Sequence, residues 1–425
     1  MSGGDRSLAV WCNTELVGML RETNNLWAFE YAQDWSAFDL APGLPRTEQV
    51  IVDGASTRPV QWFFDNLLPE EGARTLLAND AKLDDADAFG LLAHFGAESA
   101  GALTLLAPAE HPSTGTRREL SYEELSRRIR YLPDIPLSQG GSKRMSLAGA
   151  QHKLPVIYEK GVLYEPGHTM PSTHILKPNH SKPEDYGHTA INEYFMMRLA
   201  RLCGFDVPAV ELIRVPEPVY LVRRFDREEA KGVLSRLHTI DACQLLGIDR
   251  IYKYVRGVPG SLASIVDKCR TPASTRAGLF RWLMFNLLIG NTDNHLKNLS
   301  FMMRRDGILL APHYDLLCTA IYEKDNQWLN APLSWRFEHY VSLGDIDRHY
   351  IEVLAGALKI SPPMIDRTIR SMVDAVLSSA DRLLAEIEQQ EYDGITKSGD
   401  LHFLRRCRYG VMVDMADRLK GMLPG

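Results

Sequence analysis

Asp293, Asn298 and Asp315 are the side chains whose types and spacing point to chemistry. The first two lie five apart in Asp293-Asn294-His295-Leu296-Lys297-Asn298, and Asp315 ends the following ILLAPHYD stretch. Phosphoryl transfer asks for few protein groups: a carboxylate to orient a hydroxyl and accept its proton, oxygen ligands for Mg²⁺, and a cation on the phosphates. An Asp-to-Asn separation of this length is that of kinase catalytic loops. Asp, Asn and His also build ordinary loops, because their side chains bond nearby backbone. The second carboxylate, placed at the end of the next hairpin, favours the chemical reading.

The upstream half offers the remaining groups. Lys177 stands in the strand-like THILKP, and Glu193 on the helix-like segment that follows. A strand lysine fixed by a helix glutamate is how protein kinases hold ATP phosphates. Taken singly, each reads better as a surface lysine and an exposed glutamate; the order lysine, glutamate, aspartate, aspartate joins them. Ser146 to Lys153, SLAGAQHK, has residues small enough to lay backbone N–H groups over phosphates. It is neither a Walker A loop nor G-x-G-x-x-G, and a flexible linker is an equal reading.

The elements around these residues follow from pattern. LAVWC and ELVGML read as a hairpin about Asn13-Thr14, LWAFEY as a third strand, and GALTLLAP as a closing strand. QWFFDNLLPEEGARTLLA reads as one helix despite Pro69, and DADAFGLLAHFG as a short helix ending near Gly96. Pro108 to Glu119 is polar, holds two prolines and reads as a linker. Ser121 then caps a helix, with Glu124 placed for a capping box. HTAINEYFMMRLARLCG reads as a helix capped near Gly204, and VELIRV and VYLVRRF as strands. Beyond Ser235 the chain turns mostly helical. Ala277 to Ile289 is apolar on nearly every side, which predicts a buried helix stopped by Gly290. Asp306-Gly307 predicts a hairpin turn, and helices are expected from Asp345 to the end.

A length of 425 residues predicts two or three domains. With 45% apolar and 24% charged residues the composition is that of an ordinary globular chain, which excludes disordered and fibrous classes. Net charge −6 argues against holding nucleic acid by bulk electrostatics, though not against a local basic patch. Cys12, Cys203, Cys243, Cys269, Cys318 and Cys407 are isolated, so neither zinc nor a disulfide framework is predicted. No leader-like N-terminus and no apolar run near the ~20 residues of a membrane span is found, so a soluble cytoplasmic protein is expected.

These motifs, in this order, resemble the HipA family of bacterial serine/threonine kinases, the toxins of HipBA toxin–antitoxin modules. WFFDNLLPE and FGLLAHFGAESAGALTLL resemble its N-terminal domain. SLAGAQHK, HILKP and NEYFMMRLARLCGF resemble its nucleotide-binding half, and RRFDR, DACQLLG, Lys253-Tyr254, IGNTDNHLKN and PHYD its core. The resemblance implies an α+β, protein-kinase-like two-lobe fold: residues 1–107 as a small mixed N-terminal subdomain, 108–226 as the N-lobe with a phosphate-covering loop, and 227–425 as the helical C-lobe.

It implies ATP and Mg²⁺ as cofactors, with Asp293 as general base and Asn298 and Asp315 as metal ligands. Lys177 would meet the phosphates, with Glu193 as its ion-pair partner. Ala148, Gly149, Ala150, Gln151, His152 and Lys153 would cover the phosphates. Arg223, Arg224 and Phe225 would be the adenine hinge. His295, Leu296, Lys297 and Tyr314 would line the pocket. Ser146 would be an autophosphorylation site that disables the enzyme. Expected partners are a HipB-like helix-turn-helix antitoxin, operator DNA through that complex, and a protein substrate such as glutamate-tRNA ligase, whose modification would stop translation and promote persistence.

Two departures stand out: His152 and Arg223 occupy places where acidic residues are familiar. Two other readings stay open. One is a co-repressor module contacting DNA phosphates through Arg348, Arg367, Arg370, Arg405, Arg406 or Arg408. The other is a small-molecule kinase.

Overall fold

The structure, a computed structural model, describes residues 5–113, 115–138, 147, 149, 151–167 and 169–424. It divides into two compact units: 1–181, 213–252 and 300–311 form one, and 182–212, 253–299 and 312–425 the other.

The first unit opens with a five-stranded sheet of β1 (Arg6–Cys12), β2 (Glu15–Thr23), β3 (Leu26–Tyr31), β4 (Val50–Val52) and β5 (Leu103–Leu106), in the order β4-β3-β2-β1-β5. The β1–β2 turn is the predicted one, with Asn13 at φ 54°, a left-handed conformation that asparagine tolerates. Trp27, Phe29 and Tyr31 alternate inward on β3, and Phe64 packs on Phe29 with ring centroids 5.7 Å apart.

The single helix expected across Pro69 is two helices, Pro59–Asp65 and Glu71–Ala81. Pro69 has no N–H for the ladder, and its ring would clash with the carbonyl four residues back. The chain is extended at Glu70 before the second helix begins.

A second, six-stranded sheet holds β6 (Arg117–Glu119), β7 (Leu154–Glu159), β8 (Val162–Pro166), β9 (His174–Pro178), β10 (Val210–Arg214) and β11 (Pro218–Arg223), in the order β10-β11-β9-β7-β8-β6. The expected linker is therefore shorter by three residues: Arg117–Glu119 pair with β8. The helix Tyr122–Arg130 buries Leu125 against Leu154, Val156, Leu163, Leu176 and Leu221. Ser121 caps it by accepting the Glu124 N–H, but the Glu124 carboxylate turns to Arg118 and Arg128 instead of completing a capping box.

The hairpin of β12 (Arg227–Ala230) and β13 (Val233–Arg236) follows, then a sheet of β14 (Thr239–Asp241), β15 (Ser300–Arg304) and β16 (Gly307–Leu310). Arg304 pairs with Gly307, so the turn residues are Arg305 and Asp306, one place earlier than Asp306-Gly307.

In the second unit the long helix Pro362–Gln389 turns one stripe inward, including Ile365, Ile369, Met372, Val376, Leu383 and Ile387. It packs against Thr189–Leu202 and Pro272–Ile289. The latter is buried from Leu279 to Ile289 apart from Arg281, where its residues are mostly apolar. All six cysteines are buried. Among the described residues no helix is long and apolar enough to cross a membrane.

Candidate active site

Helix Pro272–Ile289 delivers the catalytic-type loop. It stops at Gly290, whose φ of 65° favours glycine. A Cβ there would stand 2.4 Å from Val411 Cγ1, so the exit turn has no room for a side chain. Asn286, the one polar break in the helix's apolar end, is buried and works as a relay. Its Nδ2 donates to Trp282 O at 2.7 Å, and its Oδ1 accepts from Asn291 Nδ2 at 2.7 Å. Asn291 Oδ1 in turn accepts the Asp293 N–H at 3.1 Å.

The rest of the loop is strapped from several directions. Thr319 Oγ1 accepts the Thr292 N–H at 2.7 Å, and Ser334 Oγ donates to Thr292 O at 2.6 Å. Trp335 Nε1 donates to Asn294 O at 2.9 Å, and Tyr314 OH to Lys297 O at 2.7 Å. The Leu296 N–H reaches Lys253 O at 3.3 Å, and a 3₁₀ turn spans Leu296–Asn298. Asn294 through Leu299 are buried. Asp293 is the exception, with its side chain 51% exposed.

The Asp293 carboxylate projects from this rigid frame. Its Oδ1 accepts the hydroxyl of Tyr254, and His295 Nε2 stands 3.9 Å from the same oxygen. Asn298 Nδ2 donates to Asp293 O at 2.7 Å. That bond fixes which end of the amide faces the backbone and leaves Oδ1, a hard oxygen, as the ligand end.

Asp315 is half-buried, with φ 57°. Aspartate is one of few non-glycine types that tolerate this conformation, and such residues gather at functional sites. The hydrogen bond of its neighbour Tyr314 ties this segment to the loop. His313 N donates to Asp206 O at 2.8 Å, and the ring packs near Phe205 and Trp282. Burial pushes the His313 pKa down to about 4, so its ring is neutral at pH 7.

Among the described residues no group of three or more His, Cys, Asp or Glu is placed to hold a metal ion. Mg²⁺ does not need one, since it keeps waters and takes phosphate oxygens beside one or two protein oxygens. Asn298 and Asp315 fit that demand in donor type.

The first unit holds Lys177, the described residues of the 149–153 stretch and residues 223–225. Lys177 is buried on β9 between β11 and β7, its Nζ 5.8 Å from the centre of the Tyr220 ring, so it is no surface lysine. Ser146, Ala148 and Ala150 lie outside the described residues. Gly149 has φ 110°, and its carbonyl accepts the Glu70 N–H at 3.2 Å. Gln151 Nε2 lies 3.4 Å from Pro178 O. The His152 pKa is lowered by burial and by the charge of His180. Lys153 approaches Gly149 closely: a Cβ on that glycine would be 2.6 Å from Lys153 Nζ.

Arg223 is exposed at the end of β11, opposite His174, and Phe225 is half-buried. Arg224 is buried, and its N–H donates to Thr173 O at 2.9 Å, so that N–H is not available to a base.

In the second unit, Glu193 is 2% exposed on helix Thr189–Leu202, which removes the reading of a surface glutamate. Tyr254 is the residue that sequence reasoning missed as a site member. It stood in the sequence only as part of the family-like Lys253-Tyr254 dipeptide, with no role; its bond to Asp293 spans 39 positions, and no local spacing announces that pairing. A separate cavity of about 790 Å³, lined by Trp328, Arg405, Arg406 and Tyr409 among others, contains none of the loop residues.

Of the six arginines considered for phosphate contact, Arg408 is buried on Asp381, and Arg348 pairs with both Glu352 and Asp366. Arg405 bonds Glu388, Arg406 bonds Asn326, and Arg370 reaches Pro424 O. Arg367 is exposed.

Comparison with known proteins gives a consistent outcome. Residues 8–106 match the HipA N-terminal domain, and residues 145–380 the HipA-like C-terminal domain. Y4mE of Sinorhizobium fredii is 32% identical over 399 residues, covering 90% of this chain and 92% of that protein. The serine/threonine-protein kinase toxin HipA of Shewanella oneidensis is 33% identical over 338 residues, 74% of this chain and 75% of its own length. A solved complex of HipA, HipB and operator DNA from Shewanella oneidensis MR-1 matches with a TM-score of 0.80 at 26% identity, covering 98% of both chains. The fold is of the expected α+β, two-lobe kinase-like class.

Proposed function

The chain belongs to the HipA family, and from that premise we propose that it is an ATP- and Mg²⁺-dependent serine/threonine protein kinase, the toxin of a toxin–antitoxin pair. The observation that carries this reading is Asp293: an accessible carboxylate on a buried, fully strapped loop, with one oxygen already held and Asn298 oriented behind it.

Asp293 accepts the proton of a serine hydroxyl and aims it. Asn298 and Asp315 hold the metal, and Lys177 holds the phosphates. Ala148 to Lys153 cover the phosphates, and residues 223–225 meet the adenine. His295 and Tyr314 complete the pocket. ATP supplies the phosphoryl group, and Mg²⁺ held there would neutralise the charge that develops on it.

In functional terms residues 1–107, 108–226 and 227–425 serve as accessory domain, nucleotide half and acceptor half. A HipB-like antitoxin restrains the enzyme, and the pair sits on operator DNA as co-repressor. The substrate is a cytoplasmic protein, by default an aminoacyl-tRNA synthetase. Ser146 is the site of self-inactivation. The solved toxin–antitoxin–DNA complex of a relative supports the partner assignment.

The test is expression of the wild type against Asp293→Asn, which still accepts the Tyr254 hydroxyl. The variant should lose about 10²–10⁴-fold in transfer from labelled ATP and should no longer arrest growth. Equal arrest by both proteins would overturn the proposal.

A further inference from the structure

The Tyr254 hydroxyl donates to the Asp293 carboxylate. The terminal torsion of an aspartate is broad and roughly two-fold. A carboxylate as exposed as that of Asp293 would therefore sample many orientations, and a proton acceptor must present one oxygen in one direction. Among the described residues Tyr254 OH is the donor that reaches this carboxylate, on Oδ1; His295 Nε2 at 3.9 Å is beyond hydrogen-bond range.

Tyr254 is itself fixed. Its ring meets the His295 ring edge-on, with centroids 4.9 Å apart and an interplanar angle of 80°. Lys253 O, one residue before it, accepts the Leu296 N–H from the catalytic-type loop. Tyrosine and loop are thus tied by a ring contact and by a backbone bond one residue away, and the phenol meets the carboxylate from that frame.

We propose that Tyr254 is a positioning residue for phosphoryl transfer: by occupying Oδ1 it turns Oδ2 outward to accept the proton of the acceptor hydroxyl. This rests on the reading of Asp293 as the base. The phenol gains and loses no proton in the step. The acceptor O–H bond breaks, its proton passes to Oδ2, the oxygen bonds the γ-phosphorus, and ADP leaves. Because Tyr254 acts on the acceptor side, its loss slows transfer without weakening ATP binding.

The experiment measures label transfer from [γ-³²P]ATP with Mg²⁺ into the proteins of a bacterial lysate, for wild type, Asp293→Asn, Tyr254→Phe and Tyr254→Ala. Tyr254→Phe keeps the ring on His295 and removes only the hydroxyl. It should lower kcat roughly ten- to a hundred-fold, as expected for loss of a hydrogen bond to a charged group, with the KM for ATP unchanged. Tyr254→Ala should lose at least as much.

Wild-type kcat in Tyr254→Phe with a loss confined to Tyr254→Ala would mean that the ring merely packs, and would sink the idea. So would a Tyr254→Phe defect expressed as a raised KM for ATP. If the wild type labels nothing and Asp293→Asn matches it, the kinase reading fails and this inference fails with it. Labelling that needs Asp293 but ignores the Tyr254 hydroxyl overturns the positioning role alone.

Discussion

A buried amide and an exposed carboxylate five positions apart make the unit on which the proposed function turns. In that proposal Asn298 has two tasks that a single substitution separates. Asn298→Asp keeps an oxygen for a metal but puts a carboxylate oxygen where Nδ2 now donates to Asp293 O at 2.7 Å. The lost bond and the facing oxygens should cost about 1–3 kcal/mol of stability, since the site is buried, and transfer should drop at least about tenfold. Thermal unfolding alongside labelled-ATP transfer checks both; wild-type values in each would mean the strap is idle. Asp293 and Asn298 were legible in the sequence because both belong to one short loop, where spacing along the chain is nearly spacing in space. Tyr254 was not, because its place beside Asp293 depends on how distant segments pack.

At the scale of elements, ends such as Gly290 and the Asn13-Thr14 turn followed from local rules, while the break at Pro69, the turn at Arg305-Asp306 and the joints between elements did not. The segment after β11, expected to meet adenine, is held by its side chains from below. Glu98 is fully buried and receives Arg224 at 2.9 Å, Arg227 at 2.8 Å and Arg236 at 2.6 Å. Asp226 takes further bonds from Arg224 and from the Gly101 N–H. Burial pushes the Arg227 pKa down to about 10 against the pull of Asp226 and Glu98. This network ties residues 98–101, near β5, to the strand ends around 224–236. Glu98→Ala would leave three guanidinium groups around an empty place, a change expected to cost roughly 3–5 kcal/mol. Urea unfolding should show it as a lower midpoint; an unchanged midpoint would mean that the arginines find other partners. Nothing in RRFDR or in FGAES discloses this pairing, because a charged residue in sequence reads as solvent-facing until tertiary contacts bury it.

For the molecule as a whole, acid should be the destabilising direction. His238 in the first unit and His313 in the second are both buried, with pKa values pushed down to about 4 by burial. His238 Nε2 donates to Leu40 O at 2.8 Å, which holds the neutral tautomer. In the unfolded chain both would titrate near ~6.5. Above that value neither contributes to pH dependence. Between ~6.5 and about 4 the unfolded chain binds protons that the folded chain refuses, so stability falls on acidification, by up to about 3 kcal/mol per histidine. Unfolding free energies in urea at neutral pH and at several points down to about pH 4.5 test this; a flat profile would contradict it. The sequence by itself determined the order of chemistry-bearing residues, the loop that carries Asp293 and Asn298, the glycine that ends the helix before it, and the family, since all of these are local or collinear patterns. Only the tertiary structure decided that the run across Pro69 is two helices, that Lys177, Glu193 and Arg224 are buried, and that a tyrosine holds the carboxylate of Asp293. Those outcomes depend on desolvation and on contacts between segments far apart in the chain, which no local spacing encodes.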